Sequence, residues 1–321
     1  MFQSHPYQKL IKIAKPLLIL VLTVFIFFKL FYSYHINSLF QRYELHSQLG
    51  SVLYLLAAML FVFANWGLEA VKWRMLINRF EPITFTTAIK AVFSGVTLSI
   101  ITPNQIGDFA GRVIHLEIMN KWRGSFVTVI GHTAQVIVTL VFGLFALVFF
   151  SNDFSVISNQ SYVFQIGLPI AFLIIGFLIW AYLNLRLVYK KMSALTWVKK
   201  FEKYIDVFAA YSKAELFQLL SLSFLRYLVF LSQYYFLLKF FQVEISFLPA
   251  IACIIATFCV QSVVPSFLLL EIGLRGVSAL FFFSMFVNQT EAVLLSAYSL
   301  WIINMLLPGI LGMYFIYKIK S

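Results

Sequence analysis

The sequence predicts an all-α polytopic membrane protein of two halves. It should hold six full transmembrane helices and two proline-broken helical hairpins. Three observations carry that expectation. The 321 residues are 62% hydrophobic and only 11% charged, with a mean hydropathy of +0.91, too little polar surface for a soluble protein. The basic residues are unevenly distributed along the chain, and two proline-broken stretches align with each other without a gap.

The start, "MFQSHPYQKLIKIAKPLLILVLTVFIFFKLFYSY", places basic residues before an apolar run, as a signal peptide does, but no small-residue cleavage site comes after it. A retained first span over 15–34 is expected. Further full spans are expected over 50–69, 125–150, 163–185, 216–240 and 291–317, each close to the 20 or so apolar residues a crossing needs. Glu69, Lys72, Trp73 and Arg74 fall at the inner end of the second span and read as interfacial anchors. Two apolar regions do not behave as single spans: 84–119 is broken at Thr102–Pro103, and 246–287 at Pro265. Proline removes a donor and clashes with the preceding turn. Each region is either two complete spans with a tight turn or a re-entrant hairpin, and both options preserve the topology.

Orientation rests on charge. Of 24 Lys and Arg residues, only Arg42 and Lys239 fall in the outer segments, and Lys29, Arg112, Arg226 and Arg275 fall inside apolar regions. The rest lie in inner segments, so both termini are placed in the cytoplasm of a bacterial cytoplasmic membrane. The net charge of +12 is then loop charge facing anionic lipid rather than a nucleic-acid footprint. Over 187–215, Met192, Leu195, Val198, Phe201, Ile205 and Phe208 recur every three or four residues, as in an amphipathic linker helix on the inner leaflet. It separates a first half (1–186) from a second (216–321), with span 163–185 able to belong to the second repeat.

"ITFTTAIKAVFSGVTLSIITP" (83–103) aligns with "ISFLPAIACIIATFCVQSVVP" (245–265), bringing Pro103 onto Pro265. Downstream, Asp108 precedes Arg112 and Glu271 precedes Arg275, by four residues in both cases. The topology makes the first hairpin (84–119) open inward and the second (246–287) outward, an inverted repeat of the kind many transporters use.

Charges at membrane depth need a partner or water. Asp108–Arg112 and Glu271–Arg275 each share a helix face. Each pair either neutralises itself at a hairpin tip or lines a polar cavity for an anionic headgroup. The Pro103-to-Gly107 turn would free backbone N–H groups beside it. The candidate substrate-binding residues are therefore Pro103, Gly107, Asp108, Arg112, Arg226, Glu271 and Arg275. Arg226 has no neighbour in sequence and would snorkel or pair with Glu271. His132 and Gln135 read as helix–helix hydrogen bonders. Cys253 and Cys259 read as small apolar residues. No metal-ligand spacing, nucleotide loop, HExxH or GxSxG occurs, so no metal, cofactor or enzymatic activity is expected.

"NWGLEAVKWRMLI" followed by "FSGVTLSIITPNQIGDFAGR" resembles the family of the lysylphosphatidylglycerol synthase transmembrane region, also described as flippase-like. Thr102-Pro103, Gly107-Asp108, Gly111-Arg112 and Lys72-Trp73-Arg74 carry the resemblance. It implies eight helices with re-entrant elements and movement of lipid across the bilayer. The bifunctional members add a soluble aminoacyl-transferase domain, and the sequence ends at Ser321 without one, so lipid aminoacylation is not expected of this chain. The expected partners are anionic membrane lipids, and beyond them a separately encoded lipid-modifying enzyme. The alternatives to translocation are a membrane-embedded lipid-modifying enzyme or a scaffold for a separately encoded synthase or glycosyltransferase.

Overall fold

The computed structural model describes residues 49–320 apart from 101, 103–104, 152–160, 197 and 266–267. The expected span 15–34 and the candidate residue Pro103 lie outside the described residues. The chain divides into two compact units, Met1–Leu53 and Tyr54–Ser321. Apart from the first residues of α1, every described helix lies in the second unit.

All regular structure among the described residues is helical. The helices are α1 (Leu49–Ile77), α2 (Phe85–Ile100), α3 (Gly107–Val113), α4 (Lys121–Phe149), α5 (Ser161–Leu183), α6 (Leu185–Ser193), α7 (Lys213–Phe240), α8 (Phe247–Val263), α9 (Leu268–Phe283), α10 (Thr290–Trp301) and α11 (Leu307–Lys320). Five helical stretches are long and apolar enough to cross a bilayer: Gly50–Ile77, Lys121–Phe149, Ile166–Leu183, Lys213–Phe240 and Thr290–Ile319. They match the five expected spans after the first. The last of them joins α10 to α11 through a π-helical turn, Ile302–Leu306. Pro308 accounts for that turn, because its ring cannot follow a regular i−4 bond.

Local signals set the starts. Asn120 caps α4 by accepting from the Trp122 N–H at 2.9 Å. Ser212 and Glu215 form a reciprocal capping box on α7. The linker departs from expectation. Instead of one amphipathic helix it forms α6 and then short turns over 199–209. Val198, Ile205 and Val207 are buried, Phe208 packs edge-on against Phe126, and Asp206 pairs with Arg123 at 2.8 Å. The start of α4 offers this segment both an apolar face and a cation, and the chain breaks to meet them.

Helices α1 and α7 run antiparallel. Successive contacts pair Tyr54 with Phe236, Ala58 with Gln233, Asn65 with Arg226 and Arg79 with Glu215. The Ile77 end of α1 and the Phe240 end of α7 therefore lie at opposite ends of the pair. A broken helix pair comes after each end, α2–α3 after α1 and α8–α9 after α7, and each returns to where it began. Glu81, before α2, accepts the N–H groups of Glu117, Ile118 and Met119 at 2.9, 3.0 and 2.7 Å, beyond α3. Gln289, beyond α9, accepts from the Glu244 N–H at 2.6 Å and donates to the Gln242 carbonyl at 3.1 Å, before α8. Glu81 is thus a buried staple and not the free loop residue its position suggests.

The α2–α3 turn is tight. The Thr102 hydroxyl donates to the Leu98 carbonyl at 2.8 Å and accepts the Gly107 N–H at 2.7 Å, while Gln105 takes a φ of 55°. A Cβ on Gly107 would meet the Leu98 carbonyl, and one on Gly111 the Ser94 carbonyl. Glycine at both positions lets α3 lie against the backbone of α2.

Two apolar cores result. One gathers residues of α1, α2, α4 and the start of α7; the other gathers α8, α9, α10 and the rest of α7. Polar side chains collect between them.

Candidate functional site

On α1, Asn65, Glu69 and Lys72 recur at steps of four and three, so they form one stripe. The antiparallel register places Arg226 of α7 opposite it. The close approach of α3 to α2 brings Asp108 and Arg112 in from a third side, and Gly95 leaves the Asp108 carboxylate its space. His132 and Gln135 enter from α4.

Glu69 is the hub. Its Oε1 accepts from Arg112 at 2.7 Å, and its Oε2 lies 2.8 Å from the Lys72 ammonium and 3.1 Å from Arg226. The Nε of Arg112 lies 2.8 Å from Asp108 Oδ2 as an ion pair without hydrogen-bond alignment, and the same oxygen lies 2.6 Å from His132 Nε2. Arg226 Nε donates to Asn65 Oδ1 at 2.8 Å, and its guanidinium stacks near Trp66 and Phe230. Asn65 passes the network on to Asn304 at 2.7 Å, within the π-helical turn, and Asn304 donates to Gln233 at 3.2 Å. Three cations (Lys72, Arg112 and Arg226) thus share two carboxylates, Glu69 and Asp108. Burying such a set is tolerated only because each charge is paired or hydrogen-bonded.

The second acid–arginine pair stands apart. Arg275 donates to Glu271 at 2.6 Å and to Gln261 at 3.2 Å. A single long contact, Gln105 to Glu271 at 3.4 Å, links this pair to the α2–α3 turn. Asp108, Arg112 and Arg275 border one cavity of about 650 Å³ between the two cores. The ionisable residues lining it are Asp108, Arg112, His132, Arg226 and Arg275.

The structure thus brings Asp108, Arg112, Arg226 and Arg275 to one cavity wall, with Glu271 just behind. Gly107 serves the helix approach. Two sequence readings are corrected. Arg226 pairs with Glu69 rather than Glu271, because α1 and not α9 faces it. Glu69, Lys72 and Trp73 are buried rather than interfacial, because α1 continues to Ile77. The missed hub had a legible signal in the Asn65–Glu69–Lys72 stripe within an apolar helix. His132 and Gln135 bond between helices as expected, but they also line the cavity. Cys253 and Cys259 are free, and no cluster suited to a metal ion occurs among the described residues.

A family model described as lysylphosphatidylglycerol synthase TM region matches residues 13–312. Comparison with curated proteins and with solved structures returns no match.

Proposed function

The chain belongs to the lysylphosphatidylglycerol synthase TM region family, and on that premise we propose that it moves lipid across the bilayer. An anionic headgroup passes through the cavity while the acyl chains stay in hydrocarbon. The observation that carries this reading is the cavity wall, where three arginines and a histidine meet one carboxylate. Such a wall attracts phosphate, and arginine grips it with two parallel donors.

The two broken pairs act as re-entrant hairpins of an inverted repeat. At 1.5 Å per residue α2 and α8 reach about 24 and 26 Å, short of a hydrocarbon core of about 30 Å. They hang from opposite ends of the antiparallel α1/α7 pair, which supports one opening inward and one outward. The Ile77 end of α1, with Arg74, Arg79, Lys121 and Arg123 near it, is the cytoplasmic one in a bacterial inner membrane. A cysteine at Ser193 should stay unlabelled by an impermeant reagent in intact cells, and labelling there reverses the orientation.

The test of translocation is headgroup accessibility of labelled phosphatidylglycerol in proteoliposomes, against protein-free vesicles. Wild type should exceed Arg226→Lys and Arg275→Lys, with both alanine variants slower still. Well-folded alanine variants that move lipid at the wild-type rate would make the arginines structural. A second reading, a membrane-embedded lipid-modifying enzyme, has one observation in its favour. His132, partly open to the cavity, holds Asp108 at 2.6 Å in an acid–base arrangement. A change in lipid mass produced by purified protein alone would establish it.

A further inference from the structure

Fixed charges alone give the cavity no way to alternate between holding an anion and letting it go. Lys72, Arg112 and Arg226 exceed Glu69 and Asp108 by one positive charge, and Glu271 cancels Arg275. Guanidinium groups keep their protons under all ordinary conditions. Lys72 is buried behind Glu69 and does not line the cavity. The removable charge on the wall is His132. Imidazole is the side chain that takes up and gives up a proton near neutral pH.

The geometry around His132 suits that exchange. Its Nε2 lies 2.6 Å from Asp108 Oδ2, and the same oxygen faces Arg112 at 2.8 Å. Asp108 therefore accepts, and Nε2 carries the hydrogen. An incoming proton binds Nδ1, which has no hydrogen-bond partner among the described residues. The His132 side chain is 39% exposed against 6% for Asp108, so the ring is the accessible partner.

The neighbouring helices leave this charge its influence on the cavity. α3 presents Asp108 and Arg112, and α1 presents Glu69 and Lys72, whose stem packs by Gly131. α7 presents Arg226, bonded to Gln135 one turn on from His132. Tyr182 of α5 reaches the Ile130 carbonyl and Cys259 of α8 lies by Gly143, and both residue types are uncharged near neutral pH. The linker's Asp206 pairs with Arg123 at the start of α4, and its Glu202 and Lys203 are exposed. A proton on His132 thus adds to a wall that is already one charge positive. That addition is favourable when an anion occupies the cavity, and by reciprocity the proton tightens the anion.

We infer that the cavity takes up a proton on His132 together with each anionic headgroup, so that lipid and proton cross as a neutral pair. The proton enters from water on the acid side, resides on Nδ1 while the phosphate is held, and leaves to water on the other side. This rests on the translocation reading and names its coupling ion.

The test uses full-length protein in phosphatidylcholine vesicles carrying a trace of labelled phosphatidylglycerol, timed against protein-free vesicles under the same gradient. A gradient of about one pH unit should enrich the label about tenfold in the leaflet on the alkaline side, since one pH unit is a factor of ten per proton moved. A potassium–valinomycin potential at equal pH should produce no enrichment. His132→Gln keeps a donor for Asp108 but has no nitrogen to protonate, and His132→Lys keeps a cation that does not cycle. Both should lose the response to the pH gradient. Binding of short-chain phosphatidylglycerol to purified wild type should tighten about tenfold from about pH 8 to about pH 6, as a nearby unit charge is added. Binding to either variant should stay flat, a readout that holds even where a variant moves no lipid. Wild type that follows the potential and ignores the pH gradient, flat wild-type binding, or variants that keep the gradient response each overturn the inference and leave translocation standing. Label that moves no faster than in protein-free vesicles under every condition overturns translocation itself.

Discussion

Asp108–Arg112 and Glu271–Arg275 are the same device in sequence, yet they sit in different surroundings. The first pair is almost sealed, with side-chain exposures of 6% and 5%, and is tied through Glu69 to α1 and α7. The second is more open, at 10% and 18%, and relies on neutral amides. The residues just before each acid and arginine account for part of the difference. They are Gly107 and Gly111 in the first pair, and Leu270 and Leu274 in the second. Glycine admits α3 to the backbone of α2, and the second pair has no glycine at either of these positions. A repeated motif therefore supplies charge at two places, and its neighbours decide whether that charge is locked or available. The locked pair is tied to three helices, and the looser pair is held by its own helix and two neutral amides.

The largest effect should come from the hub. Glu69→Gln leaves Lys72 and Arg226 in a buried site without a carboxylate and Arg112 with Asp108 alone, and should cost about 3–5 kcal/mol. Glu271→Gln leaves Arg275 bonded to Gln261 and should cost less, about 1–3 kcal/mol. Thermal unfolding in detergent compares them, and equal losses would erase the distinction between locked and available pairs.

The glycines come next. Gly111→Ala would drive a methyl group into the Ser94 carbonyl and should cost about 1–3 kcal/mol. Gly273→Ala in α9 meets nothing within 4 Å and should be neutral, or stabilising by up to about 1 kcal/mol through helix propensity. If both are tolerated, the close approach of α3 to α2 is not what seats Asp108.

The smallest effect separates the two staples. Burial opposes ionisation of Glu81, but the N–H groups of Glu117, Met119 and Ile118 outweigh it and hold the carboxyl below its usual range. A carboxyl depressed in the folded state contributes stability that is complete above its unfolded value and lost as pH falls through the folded one. The Gln289 amide at the other hairpin has no such titration. Protection from amide exchange at 117–119, relative to the intrinsic rate at each pH, should therefore fall under acid while protection at Glu244 does not, and Glu81→Gln should remove the difference. Parallel pH responses at the two staples would break the contrast.

The spans at 125–150, 216–240 and 291–317 were legible because a continuous apolar run of that length has few alternatives. The breaks near Thr102 and Pro265 were legible because a proline beside polar turn residues favours a break, whereas Pro169, in an unbroken apolar run, stays inside α5. Phe85 and Phe247, which match in the alignment of 83–103 with 245–265, are the first residues of α2 and α8. The linker was misread because periodicity describes a helix in isolation, and Arg123 and Phe126 lie outside that window. Glu69 was misplaced because a span was ended at its first charge, although α1 runs eight residues further.

Hydropathy, proline and charge spacing thus determined, from the sequence alone, a helical membrane protein with two broken segments and an acid four residues before an arginine in each. Those are local properties, set by solvent preference and backbone geometry along a single element. Only the tertiary structure decided which cation each carboxylate meets. Arg226 reaches Asn65 across 161 residues of chain, and Arg112 reaches Glu69 across 43. No spacing rule spans such distances. The antiparallel register of α1 and α7 and the glycine-lined contact of α2 with α3 set those pairings, because a buried charge takes whatever opposite charge the packing brings within reach.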